Sequence, residues 1–147
     1  MTEARHVETA NPVEAWARLS EDPTAQLVDV RTRPEWTFVG VPLLQELGRQ
    51  TVLAEWRQYP DMAIDNAFAD RILDGFETAL PRQILFICRS GARSAEAAMA
   101  VAGAAAARDL DIAMVNVAEG FEGDLDPNRH RGAMNGWKAR GLPWQQS

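Results

Sequence analysis

Cysteine is almost missing from this sequence: Cys88 is the only one among 147 residues. An intramolecular disulfide is therefore excluded, and no second thiol is present to resolve a bond formed at the first, so whatever Cys88 acquires must leave to another molecule. Histidine is nearly as scarce, with His6 near the N-terminus and His130 in a polar stretch. Long apolar runs are absent as well. Met1 to Ala15 holds no apolar run behind a basic start, so a secretory signal is not expected. The small-residue run from Ala95 to Ala107 is interrupted by Glu96 and is too short to cross a hydrocarbon core of roughly 30 Å. Cations are outnumbered, 15 Lys and Arg against 21 Asp and Glu, for a net charge of -6, which disfavours a nucleic-acid partner held through its phosphates. The expectation is a cytoplasmic protein with neither nucleic-acid nor membrane partners, in which any anion site is local.

What is present is an ordinary globular composition, 46% hydrophobic and 24% charged, enough for one α/β or α+β core. Residues 1–10 read as a flexible N-terminus and 11–147 as a single domain. Asn11-Pro12 caps an amphipathic helix through Val13, Trp16, Ala17 and Leu19. Gln26 to Val30 is a short buried strand, broken by Arg31-Thr32-Arg33-Pro34 before a brief helix around Glu35-Trp36. Phe68, Ile72, Leu73, Phe76 and Leu80 recur at helical spacing and predict a helix over Asn66 to Leu80. Gln83 to Ile87 is the clearest strand, Ser94 to Arg108 the clearest helix and Ile112 to Val117 a further strand. That order implies parallel pairing through a crossover. A short helix is expected from Met134 to Arg140, while Phe38 to Ala63 gives no regular pattern.

The seven residues Cys88-Arg89-Ser90-Gly91-Ala92-Arg93-Ser94 fall between the strand ending at Ile87 and the alanine-rich helix, where open α/β sheets bind ligands. Gly91 allows backbone angles closed to other residues, so successive N–H groups are able to turn inward as an anion nest beside the positive end of a helix. Arg89 and Arg93 add full charges to those partial ones. A cysteine in such a field is a nucleophile as its thiolate, and the same donors would hold a persulfide sulfur or an oxyanion. Ser94 is read as the cap of the helix, with Glu96 in its first turn.

This loop resembles the active-site loop of single-domain bacterial rhodaneses, in which the cysteine accepts the outer sulfur of thiosulfate or of another persulfide. Asp29-Val30-Arg31 with Glu35-Trp36 is similar to the family's first signature, and Gly136-Trp137 with Gly141-Leu142-Pro143 to its C-terminal one, so the resemblance runs from about Val13 to Pro143. Where the family carries a Gly-His-Ile-Pro-Gly-Ala-like turn, this chain has Gly40-Val41-Pro42-Leu43-Leu44, and Leu43 to Leu80 and Glu122 to Gly136 are longer than in minimal members. The resemblance implies a three-layer rhodanese-like α/β domain, a central and mostly parallel sheet of about five strands with helices on both faces. It also implies sulfurtransfer through a Cys88 persulfide, with thiosulfate or a protein persulfide as donor, a thiol, protein cysteine or cyanide as acceptor, and no metal or organic cofactor. Trp36 and Trp137 are placed near the pocket by the same analogy.

Two other functions remain open. Related phosphatases and arsenate reductases use a Cys-x5-Arg loop, whereas Cys88 and Arg93 enclose four residues, a tighter nest that suits one sulfur atom better than a phosphoryl group. Phosphatase chemistry also needs a general acid, for which only Asp124 and Asp126 in the polar insert offer themselves. The second alternative is a non-catalytic binding module. Asp29 and Arg31, at a strand end beside the loop, read equally as substrate contacts and as a structural ion pair that fixes the loop. Asp124, Asp126 and His130 read as a solvated loop rather than a metal site.

Overall fold

The computed structural model describes residues 6–147. In chain order these form β1 (Val7–Ala10), α1 (Pro12–Glu21), β2 (Gln26–Asp29), α2 (Arg33–Phe38), β3 (Val41–Pro42), β4 (Val52–Leu53), β5 (Arg57–Gln58), β6 (Ala63–Ile64), α3 (Phe68–Gly75), β7 (Gln83–Ile87), α4 (Ala92–Ala107), β8 (Ala113–Val117) and β9 (Trp144–Gln145). The main sheet runs β1-β8-β7-β2-β4, and all four of its pairings are parallel. Two small antiparallel pairs, β3 with β9 and β5 with β6, lie outside it.

Alternation along the central strands divides the core in two, because successive side chains leave opposite faces of a sheet. Val28, Ile84 and Phe86 pack with Phe68, Ile72, Ala97, Ala98 and Val101 of α3 and α4. Leu27, Leu85 and Ile87 pack with Ala15 and Leu19 of α1 and with Phe121 and Trp137. The result is the expected three-layer α/β domain, a five-stranded parallel sheet between helices. Among the described residues no helix is long and apolar enough to cross a membrane.

Asn11 caps α1 through a reciprocal capping box with Glu14, at 2.8 and 2.9 Å, as its side chain and the following proline predict. Four expectations are corrected. Residues 1–5 lie outside the described residues, but the rest of the stretch read as flexible includes β1, whose Val7 to Ala10 pair in register with Met114 to Val117 and form the sheet's edge. The helix expected over Asn66 to Leu80 is only Phe68–Gly75; Leu80 precedes Pro81, and a residue before proline is pushed off the helical region. The helix expected from Met134 to Arg140 is a run of bends and turns. Its first N–H groups bond outward instead, Gly136 to Glu119 Oε1, Trp137 to the Gly120 carbonyl and Lys138 to the Phe121 carbonyl, so the segment is stitched to the loop after β8. Finally, α4 begins at Ala92 with Gly91 as its N-cap, so Ser94 does not cap it.

Candidate active site

Three loops meet at the carboxyl ends of β2, β7 and β8, the edge at which parallel sheets place their ligands. Cys88 follows the last residue of β7 and is 1% exposed. Gly91, at φ +116°, turns its N–H back to donate to Cys88 Sγ at 3.1 Å, a backbone geometry that a side chain at that position would strain. Ser94 Oγ lies 3.2 Å from the same sulfur. Cys88, Gly91 and Ser94 of the predicted loop are thus brought together around one atom. Arg89 and Ala92 are exposed at its rim and Ser90 is half-buried.

The loop is held from behind by the chain that leaves β8. Phe121 N–H donates to the Cys88 carbonyl at 2.8 Å, and the N–H groups of Glu122 and Gly123 donate to the Arg89 carbonyl at 3.0 and 3.1 Å. This close backing requires glycine at 120, where φ is +66° and an added Cβ would stand 2.5 Å from the Cys88 and Arg89 carbonyl oxygens.

The arginines divide sharply. Arg93 gives a two-pronged ion pair to Glu35 of α2, at 2.7 and 2.8 Å. Burial by itself would raise the Glu35 carboxyl, but the hydrogen bonds and charge of Arg93, with the Thr32 N–H and hydroxyl, outweigh it and hold the group down at about 2. The Arg93 guanidinium is raised in turn, by its hydrogen bond to Glu35 above all. Arg31 is paired with Asp29 through Nε and Nη2, the latter at 2.7 Å, and Nη2 also donates to the Gly40 carbonyl at 2.7 Å. Both residues are fully buried, and the guanidinium lies 4.3 Å from the centre of the Phe121 ring. The pair is closed to solvent, and Arg31 Nη1 is buried with no hydrogen-bond partner among the described residues. Arg89 differs from both: among the described residues its side chain has no hydrogen bond or ion pair.

Asn116, on β8, was not singled out by the sequence. Its Nδ2 donates to the Gly91 carbonyl at 3.2 Å and its Oδ1 lies 2.5 Å from Ser94 Oγ, so it joins the polar set beneath Cys88. Its strand pattern gave one signal, a polar residue inside an otherwise apolar run. Trp137 does not line the loop; it is buried on the α1 side, 5.9 Å from Trp16, with Nε1 donating to the Pro143 carbonyl. In the insert, Asp124 Oδ2 accepts from Asn135 and Asp126 Oδ1 from the N–H groups of Asn128 and His130, and no cluster of potential metal ligands occurs among the described residues. A surface cavity of about 550 Å³ is lined by Val41, Leu44, Gln45, Gln50 and Thr51 among others and includes none of the Cys88 loop.

No family model matches the chain. Over 131 residues it is 34% identical to the uncharacterized protein RP600 homolog of Rickettsia rickettsii, a match that spans 89% of this chain and 91% of that one. It is 43% identical to Rv0390 from M. tuberculosis, whose crystal structure aligns over 97% of this chain and 99% of its own with a TM-score of 0.79. More distantly, at 12% identity, it shares its fold with the As-Sb reductase of Leishmania major, with a TM-score of 0.59 over 86% of this chain and 92% of that one. At the same identity it matches 21% of the thiosulfate sulfurtransferase of Pseudomonas aeruginosa over all of its own length, with a TM-score of 0.53.

Proposed function

The chain belongs to one family with Rv0390 and the rickettsial protein, a family of rhodanese-like fold, and from that premise we propose that it is a sulfurtransferase carrying sulfane sulfur on Cys88. The observation that carries this reading is the disposition of the two loop arginines. A phosphoryl or arsenyl group is bound through several oxygens and calls for a fork-like guanidinium aimed at it, but the arginine that closes this loop, Arg93, is turned to Glu35 with both prongs. The Cys88 sulfur itself accepts the Gly91 N–H and lies beside the Ser94 hydroxyl, and Arg89 at the rim is a cation without a hydrogen-bond or ion-pair partner among the described residues. That is provision for one anionic sulfur. The candidate general acids also support this choice, since Asp124 and Asp126 are engaged in their own loop.

In the proposed cycle the Cys88 thiolate attacks the outer sulfur of thiosulfate. An S–S bond forms at Cys88 as the S–S bond of thiosulfate breaks, and sulfite departs with the bonding electron pair, leaving the anion Cys88–S–S⁻. Cyanide then attacks the outer sulfur and leaves as thiocyanate, which returns the Cys88 thiolate; a thiol or a protein cysteine serves as acceptor in the same way. Neither half needs a redox cofactor, because each attack exchanges one bond to the outer sulfur for another and sulfite is a stable leaving group. Gly91 N–H, and Arg89 from the rim, oppose the negative charge that stays with the protein.

The test is thiocyanate formation from thiosulfate and cyanide. Double-reciprocal plots at several fixed cyanide concentrations should be parallel, as a covalent relay requires, and Cys88→Ser should lack activity while melting at the wild-type temperature. Activity retained by Cys88→Ser would overturn the proposal. Hydrolysis of an aryl phosphate by wild type, lost in the same variant, would favour the phosphatase reading instead.

A further inference from the structure

Beneath Cys88 lies a polar chain that sulfur transfer as described does not use. Ser94 is fully buried, and its Oγ has three polar neighbours: Asn116 Oδ1 at 2.5 Å, the Gly91 carbonyl at 3.2 Å and Cys88 Sγ at 3.2 Å. A hydroxyl has one proton to give. Asn116 is oriented by its own donation from Nδ2 to the Gly91 carbonyl, at 3.2 Å, which turns Oδ1 toward Ser94. The Gly91 carbonyl also accepts from Ala95 N–H at 3.3 Å, so it is already served. Two acceptors therefore compete for the Ser94 proton, the Asn116 amide oxygen and the cysteine sulfur.

Each choice has a chemical consequence. With its proton on Asn116, Ser94 presents a lone pair to Sγ, which suits a thiol and opposes a thiolate. With the proton turned to sulfur, Ser94 stabilises the thiolate and leaves Oδ1 bare. We propose that Asn116 is a positioning residue that competes with the Cys88 sulfur for the single Ser94 proton and so sets how readily Cys88 ionises. The proposal rests on the reading of Cys88 as the nucleophile. It also makes the proton follow the cycle: once Cys88 holds a persulfide, the negative charge moves to the outer sulfur, Sγ becomes a neutral bridging atom, and Ser94 returns its proton to Asn116.

Other charged groups around Cys88 are fixed by partners elsewhere. Arg93 of α4 is held by Glu35 of α2, Asp29 and Arg31 beyond β2 hold each other, and Glu119 after β8 is held by Arg140 at 2.6 Å. Arg89, in the loop itself, is the exception and is exposed. None of these groups hydrogen-bonds to Ser94 or Asn116, so substitutions at 94 and 116 change the proton relay and leave that field in place.

Because the chain has a single cysteine, the rate of alkylation by iodoacetamide as a function of pH, read by intact mass, reports the ionisation of Cys88 alone. Ser94→Ala is expected to raise the midpoint by about one pH unit, through loss of a hydrogen bond to the charged form. Asn116→Ala should lower it by a similar amount, about one unit, and should add no shift in the Ser94→Ala background. If Asn116 merely braced the loop, Asn116→Ala would loosen the Gly91 N–H contact to sulfur and raise the midpoint in both backgrounds. That result, or an unchanged midpoint, overturns the proposal. Asn116→Leu, similar in size and without donor or acceptor, must reproduce the downward shift and replaces the alanine variant if that one does not fold. The titration is independent of sulfur transfer, so a wild type that titrates as expected but forms no persulfide would refute the proposed function and leave the relay standing.

Discussion

The carboxyl ends of β2 and β7 lie side by side in the sheet, and both place charged residues at the same edge, yet one is closed and the other open. After β2, Asp29 and Arg31 pair with each other at zero exposure; Arg31 Nη2 also reaches the Gly40 carbonyl and the guanidinium lies against the Phe121 ring, while its buried Nη1 has no hydrogen-bond partner among the described residues. After β7, the sulfur of Cys88 accepts one backbone N–H, and Arg89 stands at the rim without a partner among the described residues. Proximity of charge to the cysteine therefore does not by itself mark a substrate contact. Of the arginines at this edge, Arg31 and Arg93 are engaged by carboxylates and Arg89 is exposed, so the three differ in pairing and exposure.

The comparison breaks most readily at its closed side. Asp29→Ala leaves Arg31 buried without its carboxylate, a loss of about 3–5 kcal/mol for pairs of this kind, and urea unfolding should show it as a large fall in midpoint. A loss below about 1 kcal/mol, the range of an exposed pair, would mean that the ion pair is not structural.

Glu35 is the next test. Its carboxyl is held at about 2 in the folded protein against an ordinary value of 4.5, so it binds a proton more readily in the unfolded chain. The sign follows: the Glu35–Arg93 pair contributes stability at neutral pH, and that contribution fades as pH falls from about 4.5 toward 2. The full shift would correspond to about 3 kcal/mol, and solvent screening of this half-buried pair brings it down to about 2 kcal/mol. Glu35→Gln should therefore be less stable than wild type at pH 7, with a gap that narrows steadily on acidification; a gap independent of pH would assign Glu35 a packing role instead.

The smallest effect belongs to the open side. Arg89→Ala should lower kcat/KM for thiosulfate about tenfold, the value of one charge-assisted contact at an exposed rim, and should lower it less for an uncharged polysulfide donor. Equal losses on the two donors would show that Arg89 does not recognise charge.

The cysteine loop was legible in the sequence because its signals are local: a strand that ends at Ile87, a glycine where the backbone must turn, and two arginines within five residues of the cysteine. The parallel core was legible for the same reason, since β7, α4 and β8 follow one another with clear periodicity. Asp29 and Arg31 could not be decided that way, because their pairing depends on burial beneath Phe121, a residue ninety positions away. Asn116 was missed on similar grounds, as only the crossover through α4 brings it under Ser94. Val7 to Ala10 looked flexible because an edge strand of four residues gains its order from β8 rather than from its own composition. The Met134 to Arg140 segment kept a helical composition, yet its backbone donors serve the loop behind Cys88.

The most direct measurement is the intact mass of the purified protein after incubation with thiosulfate, and again after cyanide, with Cys88→Ser alongside. If Cys88 carries the sulfur, the mass gains one sulfur atom that cyanide removes and that the variant never shows. An unchanged mass, or a gain that appears equally in Cys88→Ser, would contradict that reading.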